Sequence, residues 1–125
     1  MSTLADYIVL RDTNITLSKD EETSPPFKFT LPSNFVVGTG DARTVLAYKI
    51  NPSGGSNKHY EIDLNDTVVL SSTTSEEAAR VLWEVINGDL YRAGQENTIQ
   101  IRFEQGSGSI DFSDVVLWYQ REIAV

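Results

Sequence analysis

Three segments of this sequence alternate apolar and polar residues with a period of two, the period of a half-buried β-strand. Phe27, Phe29 and Leu31 alternate with Lys28 and Thr30. Tyr60, Ile62 and Leu64 alternate with Glu61, Asp63 and Asn65, and Ile99, Ile101 and Phe103 with Gln100, Arg102 and Glu104. A strand of this kind buries one face only, so it needs a second layer of structure over that face. Leu46, Tyr48 and Ile50 mark one face of a further strand, and residues 7–10 and 15–17 are short β-prone runs. Turn residues separate the runs at roughly even intervals, the pattern of a sandwich or barrel. Residues 18–26 form a charged loop closed by Pro25-Pro26, Pro32-Ser33-Asn34 stops the strand before it, and residues 38–41 turn the chain again. Residues 51–57, Asn-Pro-Ser-Gly-Gly-Ser-Asn, form a hairpin loop, and Asn65-Asp66 reads as a two-residue turn. After Gly106-Ser107-Gly108, residues 109–121 form one long β-prone stretch. Its apolar positions change parity between Phe112 and Val115, which predicts a bulge near Ser113 or Asp114.

At 125 residues the chain has the length of one domain, expected to span residues 1–125. With 40% hydrophobic and 22% charged residues it can build a core without covalent staples. It has no cysteine, which excludes disulfides, thiolate catalysis and cysteine metal sites. Eighteen acidic side chains against ten basic ones give a net charge of -8. That field repels phosphate backbones and anionic bilayers, so neither nucleic acid nor membrane is an expected partner. The first residues, Met-Ser-Thr-Leu-Ala-Asp, carry no basic stretch and no long apolar run, so no signal peptide is expected. No apolar run approaches the roughly 18 residues of a membrane-spanning helix.

Residues 75–88 carry two patterns at once. Ser75 suits a helix cap, Glu76 and Glu77 a first turn, and Ala78, Leu82, Val85 and Ile86 one helical face that Gly88 stops. Val81, Trp83, Val85 and Ile86 are equally β-prone, which fits a short helical turn followed by a strand over residues 80–86.

Residues 87–99, Asn-Gly-Asp-Leu-Tyr-Arg-Ala-Gly-Gln-Glu-Asn-Thr-Ile, resemble a segment of galactose-binding-like jelly-roll domains, in which a leucine precedes a glycine turn and Asn-Thr-Ile opens the next strand. The Gly-Ser-Gly-Ser-Ile-Asp-Phe-Ser-Asp-Val-Val-Leu-Trp-Tyr stretch is similar to the closing strand of that family, and residues 60–70 to its preceding meander. The resemblance covers residues 45–121 and departs at Gly94-Gln95-Glu96-Asn97, where the family spacing is often one residue tighter. It implies a jelly-roll β-sandwich of two antiparallel sheets. The segment before the glycine turn is then extended, leaving at most one short helical segment near residues 75–80. It also implies a carbohydrate-binding, lectin-like module and a structural calcium near the chain ends, with Asp12 and Asp114 as candidate ligands. The other reading of Asp114 is an acceptor of hydrogen bonds at the bulge.

Candidate site residues follow from what sugars require: an aromatic ring for the apolar sugar face and polar groups for the hydroxyls. Two loops offer such sets, one with Asn57 and His59, the other with Tyr91 and Arg92. Trp83 and Trp118 are platform candidates, although their size favours the core. The ligand-binding set expected is therefore Asn57, His59, Tyr91, Arg92 and Trp83. His59 is the single histidine, and nothing in its spacing places it with a serine and an acid as a nucleophilic relay would need. Glu84, set among apolar residues, is expected on the face opposite Trp83 and carries no catalytic pattern. No enzyme activity is expected. The leading function is a non-catalytic carbohydrate-binding module. The alternative is a structural or assembly domain that oligomerises or docks a protein partner through a sheet face.

Overall fold

The computed structural model describes residues 2–36, 43–55, 57–75 and 78–123. Its strands are β1 (Ser2–Arg11), β2 (Ile15–Ser18), β3 (Phe27–Thr30), β4 (Arg43–Ser53), β5 (Lys58–Leu64), β6 (Thr67–Thr74), β7 (Arg80–Asn87), β8 (Glu96–Gln105) and β9 (Ser109–Ile123). They form two antiparallel sheets. The first runs β1-β9-β4-β7, with β2 also on β9; the second runs β3-β8-β5-β6. From β2 to β5 and from β6 to β9 every connection crosses between the sheets, which is the jelly-roll sandwich that the resemblance implies.

The period-two pattern is what closes the two layers. β5 buries Lys58, Tyr60, Ile62 and Leu64 and turns His59, Glu61 and Asp63 outward. β8 buries Asn97, Ile99, Ile101 and Phe103 in the same way. Facing them from the first sheet are Leu46, Tyr48, Ile50, Ile110, Phe112 and Leu117, each at most 1% exposed. Each apolar side chain buried to this degree contributes about 1.5–3 kcal/mol. At the centre, Tyr48 and Tyr60 meet edge to face and pair their hydroxyls at 2.9 Å, one from each sheet. That pairing satisfies two polar groups that burial would otherwise leave without water.

Asn65 and Asp66 adopt φ of 49° and 67°, the type I′ pair expected between β5 and β6. The bulge falls where the parity change predicts it. Asp114 has φ 51°, and the β4–β9 register jumps between Ala47–Val116 and Lys49–Ser113. Residues 80–87 form a strand, as the resemblance implies and against their helical pattern. Ser75, Ala78 and Ala79 lie outside any helix, and residues 76–77 of the expected helical turn are outside the described residues, as is the expected turn at 38–41. A single 3₁₀ turn, Gly88–Leu90, instead follows β7, with Asn87 accepting from the Asp89 N–H at its start.

The Gly-x-x-Asn motif has a clear mechanical role. Asn97 is fully buried at the start of β8. Its Oδ1 accepts from the Arg92 N–H (2.8 Å) and from Asn65 Nδ2 (2.9 Å). Its Nδ2 donates to the carbonyls of Arg92 (2.9 Å) and Gln95 (3.1 Å). Asn65 in turn accepts from the Thr98 N–H at 2.9 Å. One side chain thus ties the loop before β8 to itself and to the β5–β6 turn. Replacing Asn97 by alanine takes this partner from three part-buried backbone groups, the Arg92 N–H and the Arg92 and Gln95 carbonyls, at about 1 kcal/mol each. The N97A protein is therefore expected to lose about 3 kcal/mol, read as a lower urea midpoint at an unchanged slope.

Candidate functional site

One cleft gathers charged, hydroxyl and apolar groups where the edges of the two sheets meet. Asp6 on β1 lies opposite Tyr119 on β9, and Leu4 opposite Arg121. The chain beyond β3 turns at Pro32, whose carbonyl accepts from the Phe35 N–H at 3.0 Å. It then runs beside the end of β9: the Val36 N–H donates to Gln120, the Glu122 N–H to the Asn34 carbonyl (both 2.9 Å), and Asn34 Nδ2 to the Glu122 carbonyl (2.6 Å). The result is a cleft of about 340 Å³ lined by Asp6, Thr30, Leu31, Pro32, Tyr119 and Arg121.

Its polar groups include both donors and acceptors. The Asp6 carboxylate is fixed through Oδ1, which accepts from the Tyr7 N–H at 2.8 Å. Arg121 Nε stands 3.5 Å from Asp6 Oδ2, and this buried nitrogen has no hydrogen-bond partner among the described residues. Burial, and then the neighbouring Asp6 charge, raise the Tyr119 phenol above its ordinary value and keep it protonated. Leu31 and Pro32 supply an apolar wall.

The outer face of the first sheet is of a different kind. Register places Tyr7, Trp118, Val45 and Val85 in one row across four strands, and Val9, Val116, Ala47 and Trp83 in the next. Tyr7 and Trp118 pack at 4.9 Å between ring centroids. The outer face of the second sheet is polar: Arg102 binds Asp63 (2.8 and 3.0 Å), Glu61 (3.0 Å) and Glu104.

The expected ligand residues fall in separate places. His59 lies on the outer face of β5, opposite Gln105, and Arg92 precedes the other end of β8, so the two loops sit at opposite ends of the sandwich. Both His59 ring nitrogens meet hydroxyls of β6, Nδ1 with Thr73 (2.8 Å) and Nε2 with Ser71 (2.9 Å). A serine is present there, but a threonine stands where a relay would place its acid. Asn57 is exposed beside Gly106, a glycine at φ 109° whose Cβ would collide with the Asn57 carbonyl. Tyr91 is a correction to the expected set. It is 5% exposed, packed against Phe29 and Phe35, and its hydroxyl is 2.8 Å from Thr44 Oγ1, so it belongs to the core. Arg92 is exposed and Trp83 is 61% exposed. Trp118, at 40%, is also on the surface, so the core role favoured for both tryptophans does not hold. Glu84 lies on the face of β7 opposite Trp83, as expected.

Asp12 and Asp114 are both exposed, and Asp114 Oδ2 accepts from Ser113 Oγ at 3.1 Å. Among the described residues no three His, Cys, Asp or Glu side chains gather to hold a metal ion. Asp6, Tyr119 and Arg121 were not anticipated. Their meeting depends on pairing the first strand with the last, which no local pattern reveals.

No protein-family model matches the sequence, and no curated protein does. Solved structures match its fold. Dimeric latent PorU from Porphyromonas gingivalis superposes with a TM-score of 0.63 at 13% identity, over 98% of this chain and 13% of PorU, so the chain spans a small part of that protein. The C-terminal domain of EclA, described as a sugar-binding protein, gives 0.55 at 10% identity over 94% of this chain and 79% of its own. A family 35 carbohydrate-binding module from an environmental isolate gives 0.51 at 16% identity, over 100% and 99% of the two chains. The protein thus has a β-sandwich like that of carbohydrate-binding modules.

The buried phenols set an alkaline limit on this fold. Desolvation raises Tyr48 and Tyr91 well above the ordinary 10.0. Above pH 10 the unfolded chain ionises these tyrosines while the folded chain keeps them protonated, so their contribution is intact below that pH and falls as pH rises. Urea midpoints are expected to hold level up to that point and then drop. The Tyr48→Phe/Tyr91→Phe double variant, although less stable throughout, is expected to show a shallower drop.

Proposed function

We propose that the protein is a non-catalytic carbohydrate-binding module whose site is the cleft of Asp6, Thr30, Tyr119 and Arg121. The observation that carries this reading is the cleft's chemistry. A fixed carboxylate accepts from adjacent hydroxyls, a guanidinium and a phenol donate to ring and hydroxyl oxygens, and the Leu31–Pro32 wall meets the C–H face of a sugar ring. A neutral saccharide presents this mixture of donors, acceptors and apolar surface. The fold likeness to proteins described as sugar-binding supports the same class. His59 lies outside this cleft, with both ring nitrogens on hydroxyls of β6.

A glycan array followed by titration calorimetry tests this. A hit is expected, with affinity falling at least tenfold, or about 1.4 kcal/mol, in Asp6→Asn and in Arg121→Ala. The His59→Ala protein is expected to bind as the parent does. A blank array, or a hit indifferent to both cleft substitutions, would remove the cleft from consideration.

A further inference from the structure

We infer that the outer face of the first sheet is a homodimer interface, occupied by a second copy of this chain. This inference does not rest on the sugar reading. The face is continuous, because register alone places Tyr7, Trp118, Val45 and Val85 beside Val9, Val116, Ala47 and Trp83. Neither row holds a charged residue, although the chain carries 28 charged side chains other than histidine. Tyr7, Val9, Val81, Trp83, Val85 and Trp118 are each 40–63% exposed. Together they leave on the order of 500 Å² of apolar surface, at the upper end of what a monomer shows as its largest patch. A standard interface covers roughly 800 Å² on each partner and about 65% of a homodimer interface is apolar, so one side needs about 500 Å² of apolar surface. The face supplies that amount. Its composition also fits, with aromatic residues concentrated and charges absent at the centre.

A sugar is the poorer occupant. The two rows offer only the Tyr7 hydroxyl and the indole N–H groups as polar atoms, too few to orient a ring of hydroxyls. The relief of the face favours self-pairing. The two tryptophans, Trp83 on β7 and Trp118 on β9, flank the smaller Val45 and Ala47 on β4. A two-fold axis along β4 lays small residues on small ones and brings Trp83 of one copy over β9 of the other. That is an isologous contact between two aligned sheets.

Light scattering coupled to size exclusion on the full chain tests the inference. At about 0.1 mM chain, far above the Kd of a standard interface, a mass of twice 13.9 kDa is expected. Trp83→Lys and Val85→Lys replace exposed side chains, so circular dichroism is expected to match the parent while the dimer Kd rises at least tenfold. His59→Ala, on the opposite outer face, is expected to stay dimeric. A monomer at this concentration overturns the inference, and so does a dimer that both lysine variants leave intact. Sugar binding that persists in the lysine variants separates this surface from the cleft.

Discussion

The bulge at Asp114 is the constraint on which both surfaces of this molecule depend. β9 is fifteen residues long and lies at the centre of the first sheet, against β1, β2 and β4. Before the bulge, Ile110 and Phe112 point inward; after it, Val115, Leu117 and Tyr119 do. Had the alternation continued unbroken, Trp118 would have entered the core and Leu117 and Tyr119 would have faced water. One extra residue reverses this. It sends Trp118 out beside Tyr7 and brings Tyr119 to the floor of the cleft beside Asp6 and Arg121. The left-handed backbone this requires is uncommon outside glycine, and aspartate is among the residues that tolerate it best.

A second constraint acts on the other sheet. The loop between β7 and β8 reverses the chain within a few residues, and such a loop has backbone groups that neither sheet can pair. Asn97 supplies those partners from inside, with an amide that accepts and donates at once. Gly94, at φ 69°, lets the loop come within hydrogen-bonding distance of the chain after β3, where its N–H reaches the Leu31 carbonyl at 2.9 Å. Leu31 and the adjoining Pro32 wall the cleft, so the Gly-x-x-Asn segment bears on the site indirectly, by placing that wall. A short sequence motif can in this way mark a fold without contributing a ligand.

The sequence made the strands legible because burial on one face imposes a period that residues 27–31, 60–64 and 99–103 follow closely. The Asn65-Asp66 turn and the bulge were legible for the same local reason. The segment at 75–88 was not, since the helical pattern of residues 78–86 is an accident of apolar residues on both faces of β7. Val81, Trp83 and Val85 face outward while Leu82 and Ile86 face inward. A strand that is apolar on both sides loses its period of two, and local pattern then favours the helix. Size alone favours the core for the two tryptophans, yet both lie on the surface. The parity change at Asp114, once read, already implied that Trp118 lies outside if Val115 and Leu117 lie inside. The site fared worst. Tyr91 sits in a loop that looks exposed, yet its ring is held by Phe29, Phe35 and Thr44, residues from strands and turns far away in sequence. Asp6 and Arg121 come from opposite ends of the chain, and only the β1–β9 pairing joins them.

The two outer faces explain what the acidity of the chain accomplishes. On the second sheet Glu61, Asp63 and Glu104 surround Arg102, and such charges keep that face in water. The central rows of the first sheet have no such protection, although its edge strand β7 carries Arg80 and Glu84 on its inward side. An unprotected apolar sheet face is a liability in a free monomer, because it invites irregular association. A net charge of -8 slows such association at long range and does not prevent close contact between the patches themselves. Symmetric pairing removes the apolar surface and leaves the charged faces outermost. The cleft opens on the inward side of β1 and β9, where they meet the chain after β3, so covering the outer face of the sheet leaves it accessible.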